Sequence, residues 1–447
     1  MDQNNFLIRG VLATGLLFSL TANADEQALH EIAAAPSAER IQRDIEMLVS
    51  FGTRHTLSET ESDTRGIGAA RRWIKAEFER ISADCGGCLD VFYVSDTVSG
   101  TTRIPDPVEV VNVVAIQRGT RDPNRFVMMS GDIDTRVSDP MNFTDDAPGA
   151  NDNASGMAGT LEAARVLTQY EFPGSIIYAG LSGEEQGLNG GAIVAAHAID
   201  NAWDIKAVIN NDMIGNIRGI NGVINNTTAR VFSEGTRVVE TEAEARQRRF
   251  QGGEVDSPSR NMARYIDRMA DLYIPNLDVM MVYRLDRFGR GGHHRPFNDV
   301  GFPAVRIMET NEHYHWQHQD IRMEDGIAYG DVIEHVDFDY AAKLTALNAV
   351  TLASMSWAPA PPANVSISGQ VSPDTTLRWE KVPGATAYRL HWRLTTEPQW
   401  THFRTVGDVD AFTLENIVID NYFFGVSSIS ANGVQSPVVF PGPAGAF

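Results

Sequence analysis

The chain has 447 residues, of which 43% are hydrophobic and 21% are charged. This composition is typical of a globular protein of two or three domains, and it excludes a disordered, collagen-like or polytopic membrane protein. The 58 acidic residues outnumber the 37 lysine and arginine residues, for a net charge of −21. A surface of that sign repels phosphates, so we expect no nucleic-acid partner.

The first 24 residues have the pattern of a secretory signal peptide. An apolar run over 10–20 follows a basic residue, and small residues at Ala22 and Ala24 predict cleavage before Asp25. The run is too short to cross a bilayer, and no later stretch is long enough for a membrane span. We therefore expect a periplasmic or secreted protein without membrane insertion. The alternative is a buried N-terminal helix.

The only two cysteines are Cys85 and Cys88. In an exported chain this spacing favours a local disulfide bond, which closes a small loop and adds little stability. The alternative is a pair of free thiols with a redox role. A four-ligand zinc site is disfavoured, because no second pair of ligands lies nearby in the sequence.

Helical and strand-like segments alternate along residues 25–357. Residues 28–82 are predicted to be helical, and within them 67–81 has apolar residues three and four apart, as on one face of a helix. Residues 217–257 are polar and glycine-rich, and predict an excursion between core elements. The remaining helix candidates are 154–170 and 258–272, and the strand candidates are 108–116, 125–129, 175–179, 207–210 and 279–283. This alternation predicts an α/β domain in which a mixed, mostly parallel sheet is sandwiched by helices.

A proline-rich linker is predicted at 358–363, and a second domain at 364–447. Short strand-like runs with turns between them predict a small β-sandwich there. Residues 422–426 alternate between large apolar and other side chains, as in a half-buried strand. Together with the runs LRW, PGA and YRL, which start at residues 377, 383 and 388, this pattern resembles a fibronectin type III module.

Four acidic clusters lie at or soon after strand-like runs of the larger domain. They span 129–135, 147–156, 181–188 and 210–214. In an open α/β sheet, the loops after the strands converge on one crevice. Carboxylates gathered there repel one another unless a cation neutralises them, so the sequence predicts a divalent metal site.

The segments GANDNASG at 149–156 and SGEEQGL at 182–188 resemble the signature segments of the M28 family of zinc exopeptidases. That family includes co-catalytic aminopeptidases, glutaminyl cyclases and glutamate carboxypeptidases. The resemblance covers roughly residues 40–355. It implies a zinc-exopeptidase fold, two zinc ions as cofactors and a peptide substrate. The whole arrangement resembles bacterial members that carry a signal peptide and a C-terminal fibronectin type III module.

The resemblance implies a role for each matching residue. Asp152 matches the carboxylate that bridges both metals, and Glu184 matches the general base that takes a proton from the attacking water. Glu185 matches a terminal ligand of one metal, and Asp212 a terminal ligand of the other. Asp134 matches the acid that supports the first ligand from two residues further on.

The first ligand departs from the family pattern. The family begins its metal site with His-x-Asp, whereas this chain has Asp132 at the histidine position. Either Asp132 replaces the imidazole, or it points away and one metal site is lost. In the first case one metal has only carboxylate ligands, which favours harder ions such as manganese or magnesium.

The last ligand also departs from the pattern. The family places a histidine shortly before an aspartate, but Trp316 occupies the position four residues before Asp320. His315 is the preferred replacement and His318 the second choice; alternatively, these histidines surround an incomplete site. A glycine-rich segment at 290–297 borders the pocket in relatives, and here it either helps to bind substrate or is a plain loop.

These residues predict an exported, metal-dependent exopeptidase. Among exopeptidases they favour an aminopeptidase, which hydrolyses N-terminal peptide bonds with a metal-activated water. The main alternative is a non-catalytic binding protein on the same fold, impaired by the two ligand changes. A third is a glutaminyl cyclase-like or other amide-processing enzyme. The intact Glu184 favours hydrolysis, because a binding protein needs no general base.

Overall fold

The computed structural model describes residues 25–447, so the predicted signal peptide lies outside the described residues. None of the helices in this range is long and apolar enough to cross a membrane. The larger part of the chain forms one eight-stranded sheet. Its strands are β1 (Leu89–Val98), β2 (Val108–Gln117), β3 (Asp122–Asp132), β4 (Gly174–Leu181), β5 (Asp204–Asn211), β6 (Thr228–Ser233), β7 (Asp278–Val282) and β8 (Ala304–Glu309).

The strand order is β1-β2-β4-β3-β5-β8-β6-β7. The four central strands, β4, β3, β5 and β8, run parallel to one another, and β2 and β6 flank them in the antiparallel direction. Parallel neighbours bring the carboxyl ends of β3, β4 and β5 to the same edge, where loops with polar side chains meet. The predicted mixed α/β sheet is therefore confirmed.

Helices cover both faces of this sheet. The described helices are α1 (residues 25–34), α2 (Ala38–Ser50), α3 (Gly66–Asp84), α4 (Ala154–Leu167), α5 (Asn189–Asp200), α6 (Glu242–Gln251), α7 (Pro258–Tyr273), α8 (His294–Asp299) and α9 (Phe338–Trp357). Val127 and Met129 of β3 pack into the core under α2, α3, α4, α7 and α9, whereas Phe126 and Met128 pack with α5 and α8. A strand buried on both sides explains why its sequence is apolar without alternation.

Two glycines let α4 approach the sheet closely enough to place the acidic loop before it at the strand ends. A Cβ on Gly131 would lie 2.4 Å from the backbone carbon of Gly156, and a Cβ on Gly156 would lie 2.3 Å from the backbone oxygen of Asn211. Any larger side chain would push the helix away. Asn153 caps α4 by accepting a hydrogen bond from the Gly156 N–H.

Six strands form two three-stranded sheets after α9. They are β11 (Ala363–Ser368), β12 (Thr375–Glu380), β13 (Ala387–Leu394), β14 (His402–Val406), β15 (Ala411–Leu414) and β16 (Tyr422–Ile429). A separate short hairpin of β9 (Arg322–Glu324) and β10 (Ile327–Tyr329) precedes α9. The sheet orders are β11-β12-β15 and β14-β13-β16, around a core that contains Trp379, Tyr388 and Phe424. The additional C-terminal β-structure is confirmed; its domain boundaries and fibronectin type III assignment stay predictions.

Cys85 and Cys88 follow α3 and are joined by a disulfide bond, with 5.7 Å between their Cα atoms. Cys85 is the residue at which the helix ends, and its N–H donates to carbonyls of the last turn. The bond therefore closes the short turn between α3 and β1, as the sequence analysis expected.

A buried ion-pair cluster joins the C-terminal sheets to the larger part of the chain. Asp256, just before α7, lies 3.1 Å from Nη1 of Arg264 and 2.7 Å from Nη2 of Arg393 on β13. All three side chains are at most 1% exposed. Arg264 also donates from Nε to the Pro398 carbonyl at 2.6 Å. These contacts fix the two parts of the chain against each other.

We expect Asp256→Ala to lower the free energy of unfolding by about 3–5 kcal/mol, because it leaves two buried guanidinium groups without their counter-ion. Urea unfolding would measure the loss. The matched control is Glu254→Ala, whose half-exposed carboxylate pairs with Arg248 and should change stability by less than about 1 kcal/mol. Equal effects of the two substitutions would contradict the role given to the buried cluster.

Candidate metal centre

Asp152, Glu185 and His318 come from three distant loops and meet at the carboxyl edge of the sheet. Their ligand atoms all lie within 4.8 Å of one another. Nε2 of His318 is 2.9 Å from Asp152 Oδ2 and 2.8 Å from Glu185 Oε1. Asp331 fixes the backbone of the first loop by accepting hydrogen bonds from the N–H groups of Asn151 and Asp152. The sequence-predicted Asp152 and Glu185 are thus brought together.

The structure places His318, and not His315, at the two carboxylates. The ring of His315 packs against Tyr329, with 4.7 Å between the ring centroids. Trp316 is stacked between His313 and His335. The His318 backbone has a positive φ of 53° and directs its side chain into the cluster. The preference for His315 is therefore corrected. The fold of the loop, and not the spacing to Asp320, decides which histidine faces the carboxylates.

These three side chains fit a zinc ion. Zinc binds carboxylate oxygens and imidazole nitrogens, and catalytic zinc sites use three protein ligands with a fourth position open to water or substrate. Tetrahedral bonds of about 2.0–2.1 Å separate ligand atoms by roughly 3.3 Å. The observed separations of 2.8 and 2.9 Å need to widen only slightly to admit the ion.

Electrostatics at the cluster also favour a cation. Burial by itself lowers the pKa of His318, but Glu185 and Asp152 outweigh it and raise the pKa to about 9. Burial raises the pKa of Asp152, yet His318 holds it well below its usual range. A metal ion would replace the proton of His318 as the cation between the carboxylates, so its binding releases a proton.

Asp134 holds the turn that carries both Glu184 and Glu185. Its Oδ1 accepts from the N–H of Glu184 at 3.1 Å, and its Oδ2 accepts from the N–H of Glu185 at 3.0 Å. Thr56 donates to the same Oδ2. Asp134 therefore orients the turn through the backbone and does not belong to the cluster of ligand atoms. Its support of the first ligand, Asp132, stays a prediction.

Glu184 lines a cleft of about 790 Å³ together with Asp152, Glu185, Asp212 and His318. Burial raises the pKa of Glu184 well above its usual range, and the nearby Asp212 and Glu185 raise it further. A carboxyl group beside a metal-binding cluster can accept a proton from a water molecule and release it again. The arrangement thus sets a proton acceptor beside a metal-binding cluster in one cleft.

Comparison with known proteins identifies the family. Residues 112–331 match the family model described as Peptidase family M28. A relative from Leptosphaeria maculans, described as a probable zinc metalloprotease, is 42% identical over 95% of this chain and 99% of its own length. The chain belongs to peptidase family M28. A relative from Pyrenophora teres f. teres with the same description is also 42% identical, over 91% of this chain and 85% of its own.

The M28 fold also appears among solved structures similar to this chain. The LapA aminopeptidase of Legionella pneumophila superposes with a TM-score of 0.54 and 22% sequence identity, over 73% of this chain and 71% of that one. At this identity the likeness shows the fold alone. Family membership and the descriptions of the relatives support a zinc-dependent hydrolase of peptide bonds.

Two further predicted ligands of this M28 peptidase, Asp132 and Asp212, lie outside the cluster. Asp132 Oδ1 is 2.6 Å from His293 Nδ1, and its Oδ2 accepts from Asn153 Nδ2 at 2.7 Å. Asp212 Oδ2 is 2.8 Å from Nη2 of Arg306. Within residues 25–447, the one group of three metal-binding side chains at suitable distances is Asp152, Glu185 and His318. Asp132, Asp152 and Asp212, which were expected to hold a shared ion, do not form such a group.

Sequence reasoning missed Arg306 and gave His293 no specific role in this M28 site. Both are fully buried. The sequence does contain a signal for Arg306, which is a charged residue within the apolar strand β8. A buried arginine needs an acidic partner, so its presence there indicates one nearby. His293 stands in the glycine-rich segment noted in the sequence, but no local pattern indicates that its ring meets Asp132, which is 161 residues away.

Proposed function

We propose that the chain is an exported zinc-dependent exopeptidase, and specifically an aminopeptidase that removes residues from the N-terminus of peptides. The observation that carries the proposal is the position of Glu184 in the same cleft as Asp152, Glu185 and His318. The export part rests on the signal-peptide pattern of residues 1–24.

In this proposal Asp152, Glu185 and His318 hold the zinc ion. When bound, zinc polarises the scissile carbonyl and makes a water molecule more nucleophilic at neutral pH. The Glu184 carboxylate accepts a proton from the attacking water and returns it to the nitrogen of the leaving amine. Asp134 keeps Glu184 and Glu185 in register through its two backbone hydrogen bonds.

The proposal is tested with amino-acyl anilides and short peptides, each with a free and an acetylated N-terminus. We expect turnover of the free forms only, loss of turnover after dialysis against a chelator, and recovery with zinc. The control is dialysis without chelator. Cleavage inside blocked peptides would contradict the exopeptidase assignment. The export part of the proposal has a separate test: the mature, exported protein should begin at Asp25.

This assay also separates the two alternatives. A glutaminyl cyclase-like enzyme would convert peptides with N-terminal glutamine to pyroglutamyl peptides without releasing an amino acid. A non-catalytic binding protein would bind peptides without turnover, whether or not zinc is present. Either outcome would overturn the aminopeptidase proposal.

A further inference from the structure

We propose that this peptidase uses a single zinc ion, and that the guanidinium group of Arg306 occupies the position of a second cation and donates from Nη2 to the oxyanion formed on the substrate carbonyl. The inference rests on the proposed function. Of the three carboxylates expected to hold the second ion, Asp152 lies in the cluster with His318, whereas Asp132 pairs with His293 and Asp212 with Arg306.

The contacts of Arg306 fix its guanidinium group in one orientation. The side chain is fully buried on β8. Its Nε donates to the backbone oxygen of Asp212 at 2.5 Å, and its Nη1 donates to the backbone oxygen of Gly291 at 2.5 Å and to Asp286 Oδ2 at 3.1 Å. A permanent positive charge held beside Asp212 repels a divalent ion that would need the same carboxylate as a ligand.

Asp132 is likewise engaged, because each of its oxygens already has a close partner. His293 Nδ1 and the amide of Asn153 take the two oxygens, and Asn153 is itself fixed as the cap of α4. Binding a metal through Asp132 would leave these buried groups without their partner, which costs free energy. The site therefore suits one ion at Asp152, Glu185 and His318.

The Nη2 group of Arg306 is placed to act on the substrate. It is buried without a hydrogen-bond partner among the described residues, since its approach to Asp212 Oδ2 lacks hydrogen-bond geometry. Arg306 lines the cleft together with Glu184 and Asp152. A fixed N–H donor that gains its partner as negative charge develops on the carbonyl oxygen stabilises the transition state more than the ground state.

His293 offers the competing arrangement. Its Nε2 is buried and has no partner among the described residues, so this nitrogen could be the ligand of a second ion. The two arrangements differ in the number of ions bound. Zinc per chain should be measured on the wild-type protein by mass spectrometry of the metal, after dialysis against excess zinc and then against buffer. We expect one ion per chain; two ions, one of them lost in His293→Ala, would overturn the proposal.

The role of Arg306 is tested with Arg306→Lys. We expect kcat to fall by about 10²–10³-fold with KM little changed, and affinity for a peptide phosphonate, whose tetrahedral anion resembles the transition state, to fall by a similar factor. Zinc content should stay at one. The matched control is Arg125→Lys, a buried arginine on β3 that lies outside the cleft. An unchanged kcat, or a loss of affinity for the substrate as large as the loss of affinity for the phosphonate, would overturn the role.

Failure of this inference and failure of the proposed function look different. One zinc per chain without turnover on any amide would reject the proposed function and support the ion number. Two zinc ions with normal aminopeptidase turnover would reject the single-ion inference and support the proposed function. The zinc content of the wild-type protein needs no variant, so it decides the ion number even if Arg306→Lys fails to fold.

Discussion

Glu184→Gln should lower kcat by about 10²–10⁴-fold while the protein still binds zinc, because an amide has the shape of the carboxyl group but cannot accept the proton of the attacking water. The neighbouring Glu185 stays in place, since Asp134 holds the turn through backbone N–H groups that the substitution does not touch. Turnover of an amino-acyl anilide and the zinc content of the same sample would be measured together.

The control for Glu184→Gln is Glu171→Gln, which makes the same chemical change on an exposed residue that does not line the cleft. It should leave both quantities unchanged. Near-normal turnover of the Glu184 variant would show that another group accepts the proton. Loss of zinc together with turnover would mean that Glu184 supports the ion itself, and the division of labour between the two adjacent glutamates would have to be revised.

His318→Ala should weaken zinc binding by more than about 100-fold and abolish turnover with it. Loss of a partner that merely orients a ligand costs about 10–100-fold in affinity, and loss of one of three direct ligands should cost more. The substitution also removes the imidazole that lies between Asp152 and Glu185. Zinc affinity would be measured by competition with a chromogenic chelator.

His315→Ala is the matched control, since His315 lies three positions earlier in the same loop and packs against Tyr329. We expect it to bind zinc like the wild type. The opposite result, in which His315→Ala loses the ion and His318→Ala keeps it, would return the last ligand to the residue that the spacing favoured. Equal losses in both variants would indicate that the loop as a whole orders the site.

The parts of the site that could be predicted from sequence are those built by local rules. The acidic motifs follow strands, so their carboxylates were expected at one edge of the sheet, and Asp152 and Glu185 do meet there. The helix after the first motif was expected from 154 onwards and α4 begins at Ala154. The first prediction depends on the order of strands and loops along the chain. The second depends on helical spacing and on the cap, which involve only neighbouring residues.

Strand β6 shows where such patterns fail. It lies within 217–257, which was interpreted as an excursion, yet it pairs with both β7 and β8 in the main sheet. Its six residues, TARVFS, are too short and too mixed in character to stand out among polar neighbours. Its place in the sheet comes from partners far away in the chain, which no window of sequence contains.

The sequence by itself determined the class of the fold, the M28 motifs and the order of the acidic loops, because these depend on short-range sterics and on the spacing of apolar residues. The tertiary structure alone decided which histidine faces the carboxylates, that His293 pairs with Asp132, and that Arg306 meets Asp212. These contacts join loops and strands that the sheet brings together across the chain. A side chain that is charged, buried and paired at long range is defined by its partner, and only the folded chain supplies that partner.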